Sequence, residues 1–109
     1  MNRVVLAPGA ASAHRHWHEN EDEFVFVLSG ELTLKSEVGA QVLSAGDAAG
    51  FPAGMADGHQ VVNESRGEVI YLEIGTRAKN DEVYYPDLDL HLKCEDGQYD
   101  FFRKDGMPY

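Results

Sequence analysis

Basic residues are scarce in this chain. Nine Lys and Arg stand against nineteen Asp and Glu among 109 residues, for a formal charge of −10. A chain this acidic repels a phosphate backbone, which argues against nucleic acid as a partner. Anionic membrane surfaces are disfavoured on the same ground. Cysteine is nearly absent: Cys94 is the only one, so no internal disulfide can form. A reducing, cytoplasmic setting is the matching expectation. Long hydrophobic runs are missing too. The longest purely apolar run is about five residues, Phe24 to Leu28, against the ~20 that span a bilayer. The apolar part of Met1–Pro8 is too short for a signal peptide. No repeat of 20–50 residues appears, and no segment of useful length carries a helical period.

What is present is strand-like. Hydrophobic residues make up 43% of the chain and aromatics 10%, enough to argue against disorder. The length suits a single domain with one modest core. Turn signals recur at Pro8-Gly9, Ser29-Gly30, Val38-Gly39, Gly46-Asp47, Pro52-Ala53-Gly54, Asp57-Gly58 and Arg66-Gly67. Short Val-, Ile-, Phe- and Leu-rich runs lie between them, the pattern of an all-β sandwich or barrel. Strands are predicted at 3–7, 14–18, 23–28, 31–36, 41–44, 47–51, 58–63 and 67–75. In Glu31–Ser36, Leu32 and Leu34 should face a core, with Thr33 and Lys35 facing water. The run from Glu23 is apolar on both faces, so both should be covered, by another sheet, the tail or a second subunit. After Thr76 the chain turns polar through Arg77–Asp87. An edge strand is predicted at 87–92, a turn at Glu95-Asp96-Gly97, a strand at 99–103 and a loose end over 104–109. We read 1–76 as a barrel and 77–109 as an arm of the same domain, packing on the barrel or on a dimer partner. The two-sided strand and the aromatic residues Tyr99, Phe101 and Phe102 predict a homodimer.

The chemistry-bearing stretch is His16-Trp17-His18-Glu19-Asn20-Glu21-Asp22-Glu23. In an extended chain residues i and i+2 share a face. At ~3.3 Å per residue the two histidine Cα atoms lie roughly 6.6 Å apart, close enough for both rings to meet one ion. Glu23 is an odd step from His18, so a turn over the polar residues 19–22 must bring it back to the same face.

These residues carry a resemblance. His16-x-His18-x4-Glu23-x6-Gly30 resembles the first motif of the cupin superfamily. Gly46-x5-Pro52-x-Gly54, followed by His59-x3-Asn63, resembles the second, with four residues between Gly54 and His59 where the family usually has two. The resemblance implies a small antiparallel jelly-roll β-barrel. It also implies a metal ion held by His16, His18, Glu23 and His59. Three imidazoles and one carboxylate suit one divalent Fe, Mn, Ni or Zn ion with positions left open. The absence of thiolate ligands argues against a closed structural zinc site.

Other residues carry weaker signals. Tyr71 and Glu73 share a face of the last barrel strand, and Tyr71 is a candidate proton donor if that face is inward. Asp57 is a candidate general base or a turn former, and Arg77 a substrate-carboxylate anchor or a tail salt bridge. His14 and Trp17 are second contacts to the site or, respectively, a solvated strand start and packing. Cys94 lies in the polar arm beside Glu95 and Asp96, a weak setting for nucleophilic catalysis, and no nucleophile elbow or phosphate loop exists. The expected function is a metal-dependent enzyme on a small polar or carboxylated molecule, by oxidation, isomerisation or lyase chemistry. The alternative is a non-catalytic sugar-binding or sensor module.

Overall fold

The computed structural model describes residues 1–96 and 98–108. They form eleven strands and no helix: β1 Asn2–Leu6, β2 Trp17–His18, β3 Glu23–Ser29, β4 Glu31–Ser36, β5 Gly39–Ser44, β6 Ala48–Phe51, β7 Gln60–Val62, β8 Val69–Gly75, β9 Asn80–Tyr85, β10 Leu90–Glu95 and β11 Gln98–Phe102. They assemble into three sheets, in the orders β1-β8-β3-β6, β5-β4-β7 and β11-β10-β9-β2. All the pairings are antiparallel.

The first two sheets enclose the core. Its members are Leu6, Val25, Val27, Leu32, Leu34, Leu43, Val61, Val69 and Tyr71. Val25 and Val27 from β3 point inward together with Val69 and Tyr71 from β8, as the period of two requires. Full burial of a side chain such as Leu32 stabilises the fold by roughly 1.5–3 kcal/mol. Gly30 makes the tight β3–β4 turn possible. Its φ is +87°, and a Cβ there would lie 2.8 Å from the Glu68 carbonyl oxygen. Only glycine meets both conditions.

Several expectations need correction. The strand over 14–18 shrinks to Trp17–His18, with a bend over 12–15 and an isolated bridge between His16 and His59. Thr33 is buried rather than facing water; β4 is the central strand of its sheet, so Thr33 is flanked by Val42 and Val62. Neither another sheet nor the tail fully covers the outer face of β3: Phe24 and Leu28 are exposed in the single chain, which leaves the second subunit as the expected cover.

The largest correction is β9, in a stretch read only as polar. It pairs with β2 in the register Trp17↔Tyr84 and His18↔Val83. The strand expected at a sheet edge over 87–92 begins only at Leu90, after a turn over 86–89, and lies inside its sheet, between β9 and β11. The end of the chain is not loose either: Arg103 donates its backbone N–H to the Met107 carbonyl, and Phe102 bridges Pro108. Gly97 of the expected turn and Tyr109 lie outside the described residues.

The C-terminal sheet is tied to the barrel by polar and close-packed contacts. The Arg15 guanidinium donates to both Asp87 carboxylate oxygens at 2.9 Å, and to Glu37 and the Gly58 carbonyl. Buried Gly58 leaves space for Pro86, whose Cγ would lie 2.7 Å from an added Cβ.

Candidate functional site

Glu23 opens β3 and lies opposite Phe51 of β6 and Gly75 of β8. Its Oε1 is the meeting point of the site. The Nε2 atoms of His18 and His59 each lie 3.0 Å from it, and that of His16 lies 3.5 Å away. The ligand-type atoms of His16, His18 and Glu23 all fall within 4.8 Å of one another. The turn over 19–22 does return Glu23 to the face of the two histidines. It is held by the Asp22 carboxylate on the Ala53 amide and by the Glu19 amide on the Glu82 carbonyl.

Each ring is fixed from its other nitrogen. His16 Nδ1 donates to the His14 carbonyl at 2.7 Å, and His59 Nδ1 to the Asp57 carbonyl at 3.3 Å. His18 Nδ1 donates to Asp81 Oδ2 at 2.6 Å. A carbonyl can only accept, so His16 and His59 carry a proton on Nδ1, and a neutral ring then has its lone pair on Nε2. Phe51 stacks on His59 at 3.7 Å between ring centroids, almost parallel, and restrains that ring further.

The charges follow from this geometry. Burial alone would raise the Glu23 carboxyl, but hydrogen bonds that the rings of His16, His18 and His59 donate from Nε2 when doubly protonated hold it far below the usual carboxylate range. Burial opposes charge on His18, yet the hydrogen bond and charge of Glu23, helped by Asp81, push it up to about 9. A carboxylate and three imidazole Nε2 atoms crowded together, with their tautomers set from outside, form a donor set that fits a divalent transition metal ion.

The site opens on a cavity of about 430 Å³, walled by His16, Glu23, Glu73, Arg77, Tyr85 and Tyr99 among others. That volume suits a small ligand. The face shared by Tyr71 and Glu73 is the inward one. Glu73 reaches the cavity, and its carboxylate makes no hydrogen bond or ion pair among the described residues. Burial raises its pKa, and the charge of Glu23 raises it further. Arg77 stands at the cavity wall with a φ of +55°, a left-handed backbone that a non-glycine residue rarely adopts. No ion pair holds it among the described residues, so the tail salt bridge weighed for it is not made there.

The remaining candidates are placed as follows. Tyr71 is fully buried in the core, and the Ser12 hydroxyl approaches its own without reaching hydrogen-bond geometry. Burial pushes the phenol up to about 12. Tyr71→Phe removes a hydroxyl desolvated without a partner, so stability should hold or rise by up to about 1–3 kcal/mol in chemical denaturation. A clear loss of stability would show that the hydroxyl has a partner. Asp57 lies beside a second cavity of about 160 Å³, and its Oδ1 accepts the Glu37 amide at 2.8 Å. Trp17 stacks on Tyr84 and, with His18 and His59, lines the second cavity.

Two residues of the site escaped the sequence reading. Asp81 was not singled out, although Asp81, Val83 and Tyr85 share one face of β9. Glu73 was noticed only as the companion of Tyr71.

A cupin-domain family model matches residues 2–75. Among solved structures, the chain is similar to a sugar phosphate isomerase of the cupin superfamily from Silicibacter pomeroyi. The two share 42% identity with a TM-score of 0.93, over 98% of this chain and 68% of that one. It is also similar to a candidate sugar phosphate isomerase from Acidithiobacillus ferrooxidans, at 31% identity and a TM-score of 0.90, over 98% and 68% of the two chains. A candidate oxalate decarboxylase from Thermotoga maritima shares 26% identity at a TM-score of 0.60, over 67% of this chain and 61% of its own. No curated protein matches. The motif histidines and glutamate gathered in an all-β barrel, the family model over most of the chain and the overlay of 98% of the chain on a cupin structure lead to one conclusion: the chain belongs to the cupin superfamily.

Proposed function

We propose that the chain is a metal-dependent isomerase of a small polyhydroxylated, anionic substrate of the sugar phosphate class. The observation that carries this reading is the convergence of three Nε2 atoms on Glu23 beside a cavity that also holds an unpaired carboxylate, Glu73. The names of the two similar structures support the substrate class. His16, His18, Glu23 and His59 would hold one divalent Fe, Mn, Ni or Zn ion. When bound, such an ion supplies Lewis-acid polarisation of a substrate oxygen.

The chain's own residues do the rest. Glu73 takes a proton from the hydroxyl-bearing carbon and returns it to the neighbouring carbonyl carbon, while the hydroxyl proton passes to the former carbonyl oxygen, so the substrate is isomerised with no net oxidation. Its raised pKa brings the carboxyl nearer the range in which it can both take and give a proton. Arg77 pairs with the anionic end of the substrate, and its unusual backbone conformation belongs with that role. Tyr85, whose ring lies 5.8 Å from that of His16, closes one wall and excludes water.

The test is metal analysis of the purified protein, followed by incubation with sugar phosphates in D2O. Chelator-sensitive entry of deuterium at a carbon position is the expected result. Ligand-induced thermal shifts without exchange on any bound compound would favour a binding module instead.

Metal uptake should also displace a proton. The His18 pKa in the folded, metal-free chain is raised to about 9 from 6.5. The stabilisation tied to that shift is therefore full below pH 6.5 and is lost as pH rises through 9. Within this window a ligating Nε2 must first lose its proton. Calorimetry at pH 7.5 in buffers of different ionisation enthalpy should report the release of about one proton per ion bound, fading above pH 9. Buffer-independent heats at pH 7.5 would contradict it.

A further inference from the structure

We infer that Asp81 is a positioning residue of the metal centre: it fixes the ring of His18 with Nδ1 protonated and Nε2 turned to Glu23, and so makes the C-terminal sheet part of the site. The inference rests on the metal-site reading above.

The three histidines do not obtain their orientation in the same way. His16 and His59 each donate Nδ1 to the carbonyl two residues earlier in their own loop. The equivalent carbonyl for His18 is that of His16, and it already accepts the His59 amide at 2.9 Å. His18 takes its acceptor from 63 positions away instead, on a strand that lies beyond the matched residues 2–75.

Asp81 is built for this. It is 7% exposed and points inward from β9, two residues before Val83, the partner of His18 across the ladder. Its Oδ1 accepts the backbone amides of Asn20 and Glu82, both at 2.9 Å, which leaves Oδ2 aimed at His18. The Asn20 contact pins the same turn that returns Glu23 to the site. His18, Glu21 and Asp81 also gather ligand-type atoms within 4.8 Å of one another. Both Asp81 oxygens are engaged, however, Oδ1 by two backbone amides and Oδ2 by His18 Nδ1, so these groups serve the Glu23 centre rather than a second one. A carboxylate behind a ligating imidazole fixes its tautomer and raises its basicity.

The test compares Asp81→Asn with Asp81→Ala. Asparagine keeps Oδ1 for the two backbone amides but replaces Oδ2 with an NH2 group. That donor favours the lone pair of His18 on Nδ1 and its proton on Nε2, the tautomer that cannot ligate. We expect Asp81→Asn to bind Zn(II) about 10–100-fold more weakly than wild type, at least as weakly as Asp81→Ala, with an unchanged circular dichroism spectrum. Binding within twofold of wild type overturns the inference. So does an order in which alanine is harmful and asparagine is not, because that order marks a merely structural carboxylate.

A second readout needs no metal. In 15N-labelled, metal-free protein the His18 Nδ1–H should give a low-field proton resonance protected from exchange. Its loss in Asp81→Asn supports the inference, and its persistence overturns it. A wild-type chain that takes up no Zn(II) would sink the functional reading, and this resonance alone would then decide whether Asp81 orients the ring.

Discussion

His59→Ala is expected to weaken metal affinity by more than about 100-fold, beyond the upper end of what the loss of an outer partner costs, and to abolish chelator-sensitive turnover. His59 reaches the centre from the loop before β7, while His16, His18 and Glu23 come from the stretch around β2 and β3. Its removal leaves those three together and deletes one ligand with its Phe51 stack. His59 is not a member of the hydrophobic core, so the chain should still fold. A doubly protonated His59 ring donates Nε2 to the Glu23 carboxylate, and losing that hydrogen bond costs on the order of 1.5–3 kcal/mol in the metal-free protein. Equilibrium dialysis with metal analysis, beside a denaturation curve, separates the two effects. Full metal occupancy in the variant would remove His59 from the ligand set.

Glu73→Gln should show the opposite separation: a protein that is folded and metal-loaded but nearly inactive. Glutamine has the shape of glutamate and cannot shuttle a proton, so turnover should fall by about 10²–10⁴-fold. The sign of the stability change also follows. A carboxyl whose pKa is raised by folding contributes stability below its ordinary pKa of 4.5, and that contribution is lost as pH rises through the raised value. The ionised form of the side chain is therefore a liability that glutamine removes, and the variant should melt at the same temperature or higher. Steady-state kinetics, metal content and a melting curve at pH 7.5 check all three. A variant with wild-type turnover would show that the proton travels by another route.

The site was legible in the sequence to the extent that it depends on local parity. His16 and His18 share a face because they are two apart, and the polar stretch 19–22 announced the turn that returns Glu23. The alternation of Leu32 and Leu34 marked β4 for the same reason, and the turn glycines bounded most barrel strands. Long-range pairing was not legible. Nothing local to Val69–Gly75 says that it lies between β1 and β3, and so nothing decided that Glu73 faces the cavity.

The clearest failure, β9, has a physical reason. Its inward positions are Asp81, Val83 and Tyr85, and the first of these is a carboxylate. A buried acid at an inward position erases the apolar alternation by which a strand is recognised. Asp81 can stand there because two backbone amides and an imidazole satisfy it. The residue that hid the strand is thus the one that ties it to the site. The short β2 was overextended for a related reason: His14 and Arg15 continue the pattern of the histidines, but Arg15 is turned aside to Asp87 and Glu37.

X-ray absorption at the edge of the bound metal tests the central claim most directly. The account predicts a first shell of nitrogen and oxygen at about 2.0–2.2 Å, with the outer-shell scattering of three imidazole rings, reduced to two in His59→Ala. A first shell with fewer than two imidazoles, or one unchanged by that substitution, would contradict a centre built from His16, His18, Glu23 and His59.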